Sequence, residues 1–140
     1  MGEKLKAIYD DNGILNALLL HKDFEKKGID FFTNDEHQMQ LGYMKREKGY
    51  KIEPHIHNPI TRTINTSCEC LFIKTGRVKI YFYDLSKKPI CSEVVSAGDT
   101  VLLLSGGHGF LMVEPSEIIE VKQGPYVEQM DKVRFDDDRY

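Results

Sequence analysis

Two histidines separated by a single residue are the side chains of this sequence best suited to hold a metal ion. His55 and His57 follow Pro54 in the stretch GYKIEPHIHN. On a β-strand, residues i and i+2 project from one face and lie about 6.6–6.8 Å apart along the chain. Both imidazoles can then reach one ion at the metal–nitrogen distance of about 2.0–2.1 Å that zinc adopts. An isolated pair is equally compatible with ordinary strand histidines, so further ligands are needed.

A carboxylate and a third histidine complete a candidate ligand set. Glu69 lies within the apolar run CECLFI, where alternation places it on one face with Leu71 and Ile73. An unpaired acid on such a face is unfavourable unless it is paired or bound to an ion. His108 lies in SGGHGF, where glycines permit a tight turn. The predicted metal ligands are therefore His55, His57, Glu69 and His108.

The elements that must position these residues are mostly strands. Residues 37–44, HQMQLGYM, alternate in polarity, and CECLFI and VKIYFY are rich in β-branched and aromatic residues. The KTGR between the last two predicts a hairpin, and TVLLL and EIIEVK predict two further strands. LLLHKDFEKKGI offers a short helix or a turn. This pattern predicts an all-β sandwich or barrel with at most one or two short helices.

Length, charge and cysteine content exclude several classes of protein. A chain of 140 residues predicts a single domain, 1–140, with an N-terminal segment at 1–36, a barrel at 37–126 and a charged tail at 127–140. The net charge of −3 gives no basic stripe for nucleic acid. No run approaches the roughly 18–20 apolar residues of a membrane helix. The odd number of cysteines, three, and the lack of a signal-like start predict a reduced, cytoplasmic protein.

The spacing of these residues resembles that of the cupin family. The first cupin motif, G-x5-H-x-H…E-x6-G, is matched by Gly49, His55, His57, Glu69 and Gly76. The second resembles GDTVLLLSGGH, from Gly98 to His108. The chain departs from the family in having eleven residues between His57 and Glu69, where three or four are usual, and in having Leu104 where the second motif has proline. The resemblance spans residues 49 to about 112.

This resemblance implies a small double-stranded β-helix, a jelly-roll barrel, with a three-histidine, one-glutamate site for a divalent ion. Iron, manganese, nickel and zinc all occupy such sites in the family, and ligand type alone does not choose among them. Small cupins also form homodimers by sheet packing and strand exchange, so we expect a homodimer in which the first 30 residues supply the exchanged strand.

Three further side chains are candidates for catalysis or substrate binding near the ion. Glu120 and Lys122 share one face of EIIEVK with Ile118. If that face points inward, the pair can orient a substrate or move protons; if it points outward, both are solvated charges. Arg62 lies in the long segment after the H-x-H, where it either clamps a phosphate or carboxylate or is a plain surface arginine.

The function expected from this set is that of a metalloenzyme. Within the cupins, such a site implies a dioxygenase, isomerase or epimerase acting on a small polar molecule such as a sugar, nucleotide-sugar or carboxylate. The alternative is a non-catalytic cupin that binds a small ligand or acts as a scaffold. Neither function involves nucleic acid or a membrane.

Overall fold

The computed structural model describes residues 3–125, 127 and 131–138, and within them the chain is nearly all β. The secondary-structure elements of these residues are all strands, and no helix among them is long and apolar enough to cross a lipid bilayer. The strands are β1 (Leu5–Tyr9), β2 (Leu15–Leu20), β3 (Gly28–Phe31), β4 (Gly42–Lys45), β5 (Glu69–Thr75), β6 (Arg77–Tyr83), β7 (Pro89–Ser96), β8 (Thr100–Leu103), β9 (Gly107–Met112) and β10 (Glu117–Lys122).

The strands belong to two units, which are described separately. The first, here called the sandwich unit, comprises Met1–Phe24 and Ser67–Tyr140, and the second comprises Glu25–Thr66. The sandwich unit contains a five-stranded antiparallel sheet in the order β1-β2-β8-β5-β10 and a three-stranded sheet in the order β7-β6-β9. The all-β prediction is confirmed. Among the described residues, however, no sheet closes into a barrel.

The core of the sandwich unit lies between its two sheets because both carry alternating apolar side chains. On β5, Leu71 and Ile73 are buried at 3% and 0% exposure, whereas Phe72, pointing the other way, is 42% exposed. This is the alternation that the sequence predicted. Residues from both sheets share one apolar cluster, formed by Ile8, Ala17, Leu19, Leu71, Ile73, Val78, Ile80, Phe82, Val95, Val101 and Leu103.

The connection between β5 and β6 differs from the prediction. KTGR was expected to form a hairpin, but β5 pairs with β8 and β10, whereas β6 pairs with β7 and β9. The chain therefore passes from one sheet to the other at Gly76, whose φ is +88°. A Cβ there would lie 2.4 Å from the carbonyl oxygen of Pro115. Only glycine fits this corner, and the hairpin prediction is wrong.

The second unit contains a single hairpin followed by an irregular segment. β3 and β4 pair from Gly28 opposite Lys45 to Phe31 opposite Gly42. The strand predicted over residues 37–44 begins only at Gly42, and residues 35–41 form turns and bends. The Gln38 side chain explains part of this, because its amide oxygen accepts a hydrogen bond from the backbone of Asn65 at 3.2 Å. Residues 46–66 contain no strand.

Two end segments complete the sandwich unit. The LLL of LLLHKDFEKKGI belongs to β2, and a turn follows in which the Phe24 amide donates to the His21 carbonyl at 2.9 Å. The turn, rather than the helix, is therefore formed.

The charged C-terminal segment is not loose where it is described. The Phe135 ring packs edge-on against Tyr83 with 4.9 Å between centroids, and the Tyr83 hydroxyl donates to Asp137. Aromatic and hydrogen-bonding partners on the sheet thus hold residues that the sequence pattern alone assigned to a solvated tail. Residues 128–130 and 139–140 of the predicted tail lie outside the described residues.

Candidate functional site

Glu69 and His108 meet at one side of the sandwich unit. Glu69 begins β5 opposite Leu103, whose side chain lies in the core, and His108 on β9 lies opposite the core residue Phe82. Cross-strand partners share a face, so both polar side chains point inward between the sheets. The His108 Nε2 and Glu69 Oε2 atoms are 3.6 Å apart, and the Glu69 side chain is 15% exposed. The structure thus brings these two predicted ligands together, and their binding of a metal stays a prediction.

The same side of the sandwich unit contains Glu120 and Lys122. On β10, Glu120 lies opposite Leu71 and Lys122 lies opposite Glu69, so both occupy the inward-facing row. The remaining face of β10 carries Ile119 and Val121, which are exposed. By register the pair belongs to the inward row, but Glu120 is itself exposed and only Lys122 is partly buried, so a catalytic role for the two stays a prediction.

The pKa values of the two carboxyl groups at this site are shifted in opposite directions. The pKa of Glu69 is lowered, chiefly by its hydrogen bond with His108 and against the opposing effect of burial. The pKa of Glu120 is raised, first by burial and then by its hydrogen bond with Glu69. Groups whose pKa values are driven apart can hold a proton between them. The nearby Lys122 ammonium favours the ionised form of both.

Lys122 is held in place by a residue that sequence reasoning missed. Its Nζ lies 3.1 Å from Asp131 Oδ2, and both side chains are about 15% exposed. The Ser67 hydroxyl donates to the other oxygen of Asp131 at 3.0 Å. The hydrogen bond with Asp131 raises the pKa of Lys122 and, first among several causes, lowers the pKa of Asp131. Asp131 lies in a run of charges that has no periodic signal, so the sequence offered no way to single it out.

The H-x-H lies in the second unit. The sequence predicted that it would lie on a strand, but in the structure it does not. Pro54 and Pro59 bracket it, and each lacks the N–H that a sheet ladder needs. The His55 and His57 rings are exposed, with centroids 5.2 Å apart and planes at 71°. His55 Nδ1 lies 2.8 Å from the Glu53 carbonyl oxygen. A histidine that donates one ring N–H to a carbonyl leaves its other nitrogen oriented for a metal.

Each pair of candidate ligands fits half of a metal site. Two imidazoles bound to one ion at about 2.0–2.1 Å place their centroids roughly 5 Å apart, and two ligand atoms on one ion lie roughly 3–3.5 Å apart. The His55–His57 spacing agrees with the first value, and the Glu69–His108 distance of 3.6 Å is close to the second. Within the described residues, no three His, Cys, Asp or Glu side chains gather as a metal site. Arg62 is exposed in the irregular segment, and its predicted role in binding substrate stays a prediction.

The opposite side of the sandwich unit contains a cavity that the sequence did not indicate. It has a volume of about 290 Å³ and is lined by, among others, Lys6, Leu19, His21, Glu93, Val95 and Asp99. Lys6 on β1 and Glu93 on β7 form an ion pair across it. The Asp99 carboxylate accepts hydrogen bonds from the backbone amides of Lys22 and Ser96, both at 2.8 Å.

The chain matches no protein-family model, no curated protein and no solved structure. The resemblance to the cupins therefore rests on the spacing of the two motifs, Gly49 to Gly76 and Gly98 to His108.

Proposed function

We propose that this protein is a cytoplasmic, metal-dependent enzyme of cupin type that acts on a small polar molecule. One divalent ion, iron, manganese, nickel or zinc, is held by His55, His57, Glu69 and His108. The observation that supports the proposal most is the pairing of Glu69 with His108 at 3.6 Å, inside a sandwich of antiparallel sheets. A half-buried carboxylate beside an imidazole is a typical half of such a ligand set.

A bound ion in this position supplies Lewis acidity, a template for substrate or a centre that activates dioxygen. The chain's own residues have separate tasks. Lys122, fixed by Asp131, attracts the anionic or hydroxyl-rich end of a substrate. Glu120 faces the same space and moves a proton to or from the bound molecule. These groups favour a carboxylate, sugar or nucleotide-sugar over an apolar substrate.

The alternative function is non-catalytic binding of a small ligand. The observation that favours it is the ion pair of Lys122 with Asp131, since the carboxylate raises the pKa of Lys122 and a side chain that stays protonated can bind a ligand but cannot act as a general base. Replacing Glu120 with Gln separates the two functions. In an enzyme the variant retains the metal and loses turnover, whereas in a binding protein ligand affinity changes little.

The metal content of protein purified without a polyhistidine tag or chelator tests the proposal. We expect close to one ion per chain in the parent protein and a loss of most of it in His57→Ala and in Glu69→Gln. His37→Ala is the matched control, because His37 lies outside both motifs. A parent protein that stays free of metal after anaerobic reconstitution with each of the four ions contradicts the proposal.

A further inference from the structure

The cavity on the side of the sandwich unit away from the candidate metal ligands opens between two edge strands. Among the described residues, β1 pairs only with β2, and β7 pairs only with β6, so these two strands form the rim of the cavity. Lys6 on β1 lies opposite the core residue Leu19, and Glu93 on β7 lies opposite the core residue Ile80. Cross-strand partners share a face, so Lys6 and Glu93 both point between the sheets. The cavity is therefore a gap between the sheets, with a charged side chain on each.

The floor of the cavity is aliphatic. Leu19 and Val95 line it and belong to the core cluster, with exposed fractions of 9% and 3%. Leu20 and Val94 also contribute to the lining. The volume of about 290 Å³ is just below the range of roughly 300–1,000 Å³ in which drug-sized molecules bind, so the cavity fits a smaller molecule. An aliphatic group of such a molecule gains free energy when this floor removes it from water.

Lys6 and Glu93 form a net-neutral pair at the rim, and neither group uses all of its hydrogen-bonding capacity on the other. An ammonium has three N–H donors, and the pair is a single contact of the Lys6 Nζ with Glu93 Oε1. Within the described part of the chain, Glu93 Oε2 accepts no hydrogen bond. The two side chains are 43% and 27% exposed, so a ligand can reach both. The pair can thus bind an anionic group at Lys6 and a cationic group at Glu93 without separating.

Neighbouring side chains add to both of these binding groups. His21 lines the cavity, and its Nδ1 accepts a hydrogen bond from the Asp23 amide at 3.1 Å. The neutral ring therefore carries its proton on Nε2, which is a donor for an anion. Glu3 also lines the cavity and adds a second carboxylate for a cation. Asp99 stabilises the fold instead, because each of its oxygens accepts a hydrogen bond from a backbone amide.

We propose that this cavity is a binding site for a small zwitterion with an aliphatic side chain, an α-amino acid of the leucine type. Its carboxylate binds Lys6 and His21. Its ammonium binds Glu93 and Glu3, and its side chain packs against the aliphatic floor. A ligand with no net charge suits the net-neutral pair, whereas a simple anion is repelled by the two carboxylates and a simple amine by Lys6. The site is separate from the proposed metal centre and does not depend on it.

Titration of the metal-free protein with L-leucine tests the inference. Two analogues of the same shape serve for comparison: leucinamide lacks the carboxylate, and 4-methylpentanoate lacks the ammonium. Isothermal titration calorimetry should show leucine binding and at least about tenfold weaker binding of each analogue, since each loses its hydrogen bonds to charged groups. L-Alanine retains both charges and should also bind more weakly than leucine, because it buries less aliphatic surface.

Substitutions at the rim locate the site. Glu93→Gln and Lys6→Met should each weaken leucine binding at least about tenfold. Glu117→Gln is the matched control, because it breaks another exposed ion pair of the sandwich unit, that with Lys74, outside the cavity lining. Exposed ion pairs contribute little to stability, so all three variants are expected to fold, and thermal melts check this.

The backbone amide NMR spectrum of the parent protein gives a readout that needs no substitution. Leucine should shift the signals of β1, β2 and β7 and leave those of β9 and β10 unchanged. Shifts confined to β9 and β10 would place the ligand on the other side of the sandwich unit and overturn the inference.

Three further results would also overturn it. The first is the absence of both heat and NMR shifts at millimolar leucine. The second is equal binding of leucine and either analogue, which would make the cavity a site for a simple ion. The third is an affinity for leucine that is unchanged in Glu93→Gln. Because every titration uses metal-free protein, a parent that binds no metal contradicts the proposed function alone.

Discussion

The two sides of the sandwich unit are built alike but differ in chemistry. On one side Lys6 of β1 pairs with Glu93 of β7, and on the other Glu69 of β5 meets His108 of β9. In both cases a base on one sheet faces an acid on the other. An ammonium is protonated at neutral pH, and the hydrogen bond with Glu93 raises the pKa of Lys6 further. It has no lone pair for a metal, whereas a neutral imidazole has one.

The two sides therefore differ in their ability to bind a metal cation. The Lys6–Glu93 pair satisfies its own charges and bridges the two sheets beside the cavity. The Glu69–His108 pair has a net negative charge when the imidazole is neutral, and Lys122 is already engaged by Asp131. With regard to metal binding, an acid–base pair between two sheets can therefore only bridge them when its base is Lys, whereas a pair whose base is His also offers a lone pair that a metal ion can bind.

The largest expected effect is on metal affinity. Glu69→Gln is expected to weaken metal binding at least about 100-fold, because loss of even an outer hydrogen-bond partner of a metal ligand weakens binding by about 10–100-fold. Glu93→Gln, the corresponding change on the other side, should leave the affinity unchanged. Competition with a chromophoric chelator measures both. Equal losses in the two variants would remove the distinction between the sides.

The next effect is on stability and compares two glycines at positive φ. Gly106, at φ +73°, precedes β9, and a Cβ there would lie 2.2 Å from both Asn16 Nδ2 and the Tyr83 carbonyl oxygen. Gly13, at φ +78°, lies between β1 and β2 with nothing within 4 Å of such a Cβ. We expect Gly106→Ala to destabilise the protein by about 3 kcal/mol or more, and Gly13→Ala by about 1 kcal/mol, since only the first adds a clash to backbone strain. Urea unfolding of the metal-free proteins checks the ranking.

A smaller effect depends on pH. The hydrogen bond with Lys122 holds the pKa of Asp131 below its ordinary value of 3.8. A carboxyl whose pKa is lowered by folding contributes stability that is present above its unfolded pKa and lost as the pH falls through its folded pKa. Asp131→Asn should therefore be less stable than the parent at pH 7, and the difference should shrink below about pH 4. The exposed Asp136→Asn removes the same charge as a control, and thermal melts from pH 3 to 7 that show a constant offset for Asp131→Asn would contradict the prediction.

The smallest effect concerns a thiol on the Lys6 side. Burial, with a further contribution from Glu93, raises the pKa of Cys91, and Lys6 partly offsets this. Lys6→Met should therefore slow the reaction of Cys91 with a disulfide reagent at pH 8, by less than about tenfold, since a full pKa unit corresponds to that factor in thiolate. Cys68→Ser and Cys70→Ser in the background isolate the signal. A faster reaction would mean that Lys6 acts on access rather than on charge.

Local patterns predicted much of the sandwich unit. Alternation identified the inward row of β5, with Glu69, Leu71 and Ile73 on one face, and the run EIIEVK became β10 within its expected bounds. Burial of one strand face requires apolar side chains at every second residue, and this alternation can be recognised in the sequence. The pairing of Glu69 with His108 was also predicted, although from motif spacing rather than from geometry.

Sequence patterns alone therefore predicted the strands β5, β6, β8 and β10, the inward row of β5 and the identity of the candidate ligands. The remaining features depend on the tertiary structure. They are the turn at Gly76 from one sheet to the other, the ion pair of Asp131 with Lys122, and the exposed position of the H-x-H in a segment without strands. Each of these depends on contacts between residues distant in the chain or on a backbone that lacks a neighbouring strand. Such contacts leave no periodic trace in the order of the amino acids.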